Sequence, residues 1–228
     1  MDALYREPAT MLLAGRKHIY KLLQKLWIAP PEAEHIKLLH DPSLEILLDL
    51  MSPSEELNLF QIFHPLKDGQ LAFIQDEECY LAMLAAEYMA LVYGDEDKPV
   101  SLYAVSYLDM PKEELEEELH SVQATYERYG AFSAESLVID THIAMEFGFM
   151  AHACGLAQQA IEVGNDERVM YLLEEQEWFL NDHILHWLPK WYAQIHDGHG
   201  HFYKNLAEFT NAFLRADKFG IESVLELI

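Results

Sequence analysis

Twelve histidines in a chain that also carries 39 Asp and Glu residues raise metal chemistry first. Carboxylate-bridged centres in helical bundles use Glu-x-x-His pairs on inward faces. Two such tetrads occur, Glu32-x-x-His35 and Glu117-x-x-His120. The first follows Pro30-Pro31 and the second lies inside an acidic run, so neither accompanies a strong apolar stripe. A His-x-x-x-Glu pair, His142 and Glu146, sits on a long apolar helical pattern, and His183-x-x-His186 is its nearest counterpart. His196, His199 and His201 cluster around glycines in what reads as a surface loop, where imidazoles bind borderline cations incidentally. Nucleophilic catalysis finds no support: there is no Gly-x-Ser-x-Gly elbow, and neither Cys79 nor Cys154 has an activating neighbour in sequence. Both cysteines fall in apolar helical patterns and are expected to be buried, inert thiols. No glycine loop suited to phosphate is present.

The elements that must position these groups are helical throughout. Apolar residues recur at helical spacing over residues 9–27, which stop at Pro30-Pro31. Residues 32–50 read as a helix broken at Asp41-Pro42. Ser52-Pro53-Ser54-Glu55 has the form of a helix start running to about Phe63, and residues 65–70 read as loop. Residues 76–93 form another helix, ended by Gly94 and Pro99, and residues 100–108 read as a connector or short helix. Pro111 opens a Glu-rich helix over 112–129, closed by Gly130, whose acids are expected to be a solvated face. Residues 134–163 form the longest predicted helix, with a core stripe through Ile139, Ile143, Phe147, Met150, Cys154 and Ile161. A helix over 167–187 follows, with Pro189 forcing a stop or kink. The last helix covers 201–216, before an apolar tail at 221–228 that packs back on the bundle.

Bulk properties narrow the partner. With 51% apolar residues, including 12 Tyr, 11 Phe and 4 Trp, 228 residues can build a sizeable core. The formal net charge of -24 repels phosphate backbones and anionic lipids, so no nucleic acid and no stable membrane insertion are expected, and a basic peptide is favoured. The same acidity also serves solubility alone. Two distant cysteines without a CxxC pair fit a reducing cytoplasm. Lys21 and Lys25 interrupt the only candidate export signal, so the protein is expected to stay in the cytoplasm.

Two segments carry a family resemblance. Residues 179–189, FLNDHILHWLP, closely resemble the F-L-x-x-H-L-x-x-W-x-P motif of the TorD/DmsD/NarJ family of molybdoenzyme maturation chaperones. Residues 140–151, DTHIAMEFGFMA, look like that family's D-H-x-x-x-E-L-x-F-M-A segment, with Thr141 inserted between the acid and the histidine. Glu87-Tyr88 through Tyr93-Gly94, followed by Pro99 and Ser101-Leu102-Tyr103, is similar to the E-Y-x-x-L-F-x-G…P…S-V-Y region, without the polar residue before that serine.

The resemblance implies an all-α, TorD-like bundle of about ten helices, with an N-terminal portion 1–94, a hinge at 95–110 and a C-terminal portion 111–228. It implies binding rather than catalysis and no cofactor. The ligand would be the precursor of a molybdopterin-dependent oxidoreductase: its twin-arginine leader, its catalytic subunit, or both. A homodimer by segment exchange is permitted. The implied peptide-binding positions are Tyr88, Tyr93, Ser101, Tyr103, Asp140, His142, Glu146, Asp182, His183, Trp187 and Pro189. Two other classes stay open at this point: a metal-binding bundle, hemerythrin-like or di-metal, and a plain acidic scaffold subunit.

Overall fold

A stripe of Leu13, Ile19, Leu23, Leu26 and Trp27, all buried, turns one face of the first helix, α1 (Ala3–Ile28), into the centre of the molecule. The computed structural model describes residues 3–94, 99–131, 140–196 and 201–227. Among these, α1 makes its largest contact with α8 (Ile143–Glu162) and also packs on α11 (His201–Leu227). Around this trio lie α2 (Ala33–Leu39), α3 (Pro42–Leu50), α4 (Leu59–Phe63), α5 (Gln70–Gln75), α6 (Glu77–Tyr93), α7 (Lys112–Arg128), α9 (Asp166–Trp178) and α10 (Leu185–His196). Short 3-10 turns occupy His64–Lys67 and Ala104–Ser106. The fold is all-α; the described residues contain no strand beyond one isolated bridge.

Aromatic rings fill the interior. Trp27 meets Trp191 edge-on at 4.9 Å, Trp191 meets Trp187 at 6.0 Å, and Phe149 packs on Phe179 at 4.6 Å. Such pairs contribute about 0.5–1.5 kcal/mol each beyond their burial. The same core holds a charge cluster that the sequence pattern does not announce. Arg16 on α1 donates from Nε and Nη2 to the two oxygens of Asp217 on α11, at 2.6 and 3.0 Å, and Tyr20 Oη donates to the same carboxylate at 2.6 Å. Arg16 and Asp217 are completely buried, so each needs the other to remain ionised.

Several boundaries differ from the sequence reading, each for a local reason. Ser52 does not start a helix: its hydroxyl donates to Leu48 O at the end of α3 and accepts from Leu59 N–H, while Asn58 caps α4. The expected 65–70 loop is a 3-10 turn, and Gln70 then opens α5. The long middle helix begins only at Ile143, because His142 is its extended N-cap; 132–139, where an earlier start was expected, lie outside the described residues. Pro189 neither stops nor ends α10. A π-helical turn, Phe179–Ile184, precedes it. The C-terminal tail is not separate: α11 continues to Leu227, burying Ile221 and Val224 on the stripe that also buries Phe213 and Leu214. Cys154 is buried, its thiol pushed up to about 11 by desolvation, but Cys79 is exposed. No helix among the described residues is long and apolar enough to cross a membrane.

Candidate functional site

The isolated bridge pairs Tyr103 with His142 and builds one wall of a cavity. Ala104 N–H donates to Thr141 O and Ile143 N–H to Leu102 O, both at 2.8 Å, so the 99–107 segment lies antiparallel against the N-terminus of α8. This is the partner that the β-branched and aromatic residues after Pro99 require. Val100 N–H donates to Leu91 O at 2.9 Å and ties the same segment to α6. From the other side α10 holds it. Tyr107 Oη lies 2.8 Å from both Ser101 O and Gln194 Oε1, Gln194 Nε2 donates to Pro99 O at 3.2 Å, and Lys190 Nζ donates to Tyr107 O at 3.1 Å.

The cavity is about 540 Å³ and is lined by the end of α1 at Ile28, the last turns of α6 at Tyr88, Val92 and Tyr93, the 99–103 segment, and His142 and Met145 of α8. Among the described residues, His142 is the one ionisable acid or base that lines it besides the tyrosines. The His142 ring meets Tyr103 edge-on at 5.0 Å, and its Nδ1 accepts from Ala144 N–H at 3.1 Å. That bond requires an unprotonated Nδ1, and burial pushes the imidazole down to about 4, so the ring is neutral. Tyr88 Oη faces the carbonyls of Ile28 and Trp27 at 3.4 and 3.5 Å, and burial pushes its phenol up to about 12. The described lining is therefore uncharged, with an apolar wall and a few hydroxyls, suited to uncharged side chains.

One turn deeper along α8 the chemistry reverses. His183, in the π turn, is bracketed by two carboxylates: Nδ1 lies 2.6 Å from Glu118 Oε1 and Nε2 lies 2.9 Å from Glu146 Oε1. Burial pulls the imidazole down, but Glu146 and Glu118 outweigh it and hold it up at about 9, so it is an imidazolium at neutral pH. Burial drives the Glu146 carboxyl up despite that partner, while the bond to His183 holds half-exposed Glu118 down. Glu146 Oε2 and Trp187 Nε1 each lack a full hydrogen bond; the indole still helps to lower the Glu146 pKa.

The sequence-selected residues thus divide. Tyr88, Tyr93, Ser101, Tyr103 and His142 meet in the cavity. Glu146 and His183 form the buried clasp with Glu118, which reads in sequence as one more member of a solvated run. Trp187 is buried between Tyr107 and Trp191 and does not line the cavity. Asp140 is fully buried, its carbonyl accepting from Tyr126 Oη at 3.0 Å, whereas Asp182 and Pro189 are exposed. Sequence reasoning missed Met145, Gln194 and Glu118. Gln194 carried a legible signal, lying on one α10 face with Trp187 and Lys190.

The metal candidates fare differently. His142 and Glu146 face separate environments, the cavity and the clasp. Glu118 and Glu146 flank the His183 ring on opposite nitrogens instead of converging on a common point. Glu117 and His120 are exposed on α7. Among the described residues only Glu32, Glu34 and His35 bring three ligand atoms together; the first and second are exposed, and His35 Nδ1 accepts from Glu32 N–H as part of a helix cap. Residues 197–200 of the histidine loop lie outside the described residues.

A family model described as nitrate reductase delta subunit matches residues 63–193, a span holding the cavity wall, the clasp and the π turn. Curated relatives include a chaperone protein TorD from Vibrio cholerae serotype O1 (strain M66-2), 23% identical over 220 residues covering 92% of this chain and 94% of that protein. Another is a chaperone protein TorD from Shewanella pealeana (strain ATCC 700345 / ANG-SQ1), 25% identical over 219 residues, 92% of this chain and 91% of the relative. No solved structure matches the chain.

Proposed function

Because this chain belongs to the nitrate reductase delta subunit family, we propose that it is a maturation chaperone that binds the precursor of a molybdenum-cofactor oxidoreductase. The reading is of a binder and not a catalyst, working in the cytoplasm where its client is made and holding it until the cofactor is in place. TorD chaperones matching over 92% of the chain support this role.

The observation that carries the mechanism is the uncharged cavity between Tyr88, Tyr103 and His142. A leader peptide joins a basic end to an apolar segment. The net charge of -24 draws in the basic end and accelerates encounter. Guanidinium groups pair with carboxylates outside the described lining, which offers none. Apolar side chains enter the chamber, where Ile28, Val92, Leu102 and Met145 receive them. The clasp behind it fixes α7 and the π turn against α8, so the chamber is backed by a rigid layer.

Calorimetric titration with a twin-arginine leader from a molybdoenzyme, beside a twin-lysine control, tests the proposal. The expected result is saturable binding that weakens with lysine, because lysine lacks the planar bidentate donor. Weakening by Tyr103→Ala or His142→Ala would place the leader at the cavity. An absence of binding across several leaders would overturn the leader reading, and an unchanged affinity in both variants would remove the cavity from it.

A further inference from the structure

Helix α6 is apolar on both sides. Its buried stripe is Tyr80, Leu84, Tyr88 and Leu91. Its solvent stripe is Ala82, Met83, Ala86, Met89, Ala90 and Tyr93, with Met83, Met89 and Tyr93 exposed by 52%, 50% and 68%. Past Glu78 the only charged residue on α6 is Glu87, and its carboxylate accepts from Tyr203 N–H at 2.9 Å at the start of α11. On α7, by contrast, Glu113, Glu114, Glu116 and Glu117 are all exposed. In a chain with 39 acidic residues, an uncharged methionine-rich face of this length is a surface kept for a partner.

The surroundings specify that partner. Tyr93 belongs to both the stripe and the cavity lining, so the face runs into the chamber without a break. At the opposite end lie exposed Asp76, Glu77 and Glu78, and Asp95, Glu96 and Asp97 follow Tyr93-Gly94 in sequence. The ten residue steps from Met83 to Tyr93 span about 15 Å of helix. An apolar leader segment of about 7–15 residues spans about 10–22 Å when helical. A chamber of about 540 Å³ accommodates only a few side chains of such a segment, leaving the rest in need of an apolar surface.

We propose that the exposed stripe of α6 from Ala82 to Tyr93 is the docking face for the apolar segment of a basic leader peptide, which lies along it as a helix with one end in the cavity. The proposal rests on the leader-escort reading and extends it to residues outside the cavity.

Cys79 supplies a built-in reporter. It is exposed on the same side of α6, fourteen residues, or about 21 Å, before Tyr93, whereas Cys154 is buried and serves as the unreactive control. The experiment uses the full chain and a synthetic twin-arginine leader from a molybdoenzyme. It compares wild type with the double variant Met83→Gln/Met89→Gln, which removes apolar surface without changing charge or helix propensity much. Expected are a loss of leader affinity of about tenfold or more with an unchanged urea midpoint, and several-fold slower iodoacetamide labelling of Cys79 in wild type when leader is bound. Full affinity in the variant, with Cys79 labelled equally fast with and without leader, overturns the docking face and leaves the cavity reading standing. A leader that fails to bind wild type overturns both. Sedimentation of wild type as a dimer that the double variant dissociates overturns the proposal in favour of a self-interface.

Discussion

Replacing His183 by Gln isolates the energetics of the buried clasp. The substitution keeps a polar side chain in the π turn but removes the imidazolium between Glu118 and Glu146. Glu146 is completely buried, and losing one partner of a buried pair costs about 3–5 kcal/mol. A second route gives a similar figure. Holding His183 up from 6.5 to about 9 corresponds, at about 1.4 kcal/mol per unit, to about 3 kcal/mol of folding free energy. Because the folded value is raised, this stabilisation is complete below pH 6.5 and is lost as pH rises through about 9. The upward push on Glu146 opposes it, since a buried carboxylate is itself costly, so the lower figure is the better expectation. Urea denaturation of wild type and His183→Gln between pH 6 and 9.5 should show a gap of about 3 kcal/mol near pH 6.5 that narrows towards pH 9. Adding Glu146→Gln to the variant should recover most of the loss, because both buried charges are then gone. A gap below about 1 kcal/mol, flat across that range, would refute an ionised clasp.

Asp217→Asn strands the guanidinium of Arg16 in the core and should lower unfolding free energy by about 3–5 kcal/mol in urea titrations. Gln194→Met removes the side-chain bonds to Tyr107 and Pro99; leader affinity should fall severalfold, with faster amide exchange at Val100 and Ala104 and a nearly unchanged unfolding midpoint. Leader binding should show no titration of His142 from pH 5.5 to 8, because burial keeps its imidazole at about 4. Affinity should fall only as pH approaches that value; a binding curve inflecting near 6.5 that His142→Ala abolishes would contradict a neutral ring.

The helical class and several termini were legible in sequence because the signals are local: Asp41-Pro42 caps and opens α3, Asp76 caps α6, and Gly130 follows α7 at φ +63°. Ser52 misled because a hydroxyl that can cap one helix can equally finish another, and only tertiary contacts decide. Tyr88, Tyr93, Ser101, Tyr103 and His142 came together as the motif pattern suggested, but Trp187 went to the core because the π turn sets the phase of α10. Glu118 was invisible since its partner is 65 residues away and its neighbours in sequence are solvated acids. Arg16 was invisible for the same reason at greater range. A charge beside Lys17 on an amphipathic helix reads as surface until the facing Asp217 is known.

That range has a consequence in time. Arg16 and Asp217 are separated by 201 residues, so a ribosome adding about 5–20 residues per second needs about 10–40 s to make one after the other. Until α11 follows, Arg16 lacks its Asp217 counter-ion and the α1 stripe carrying Leu23 and Trp27 lacks one of the surfaces that cover it, although α8 is complete earlier. A chaperone of unfinished enzymes is thus itself late to close. Any truncation that removes α11 should leave the nascent chain with an unpaired guanidinium and an open apolar face, itself prone to capture and aggregation.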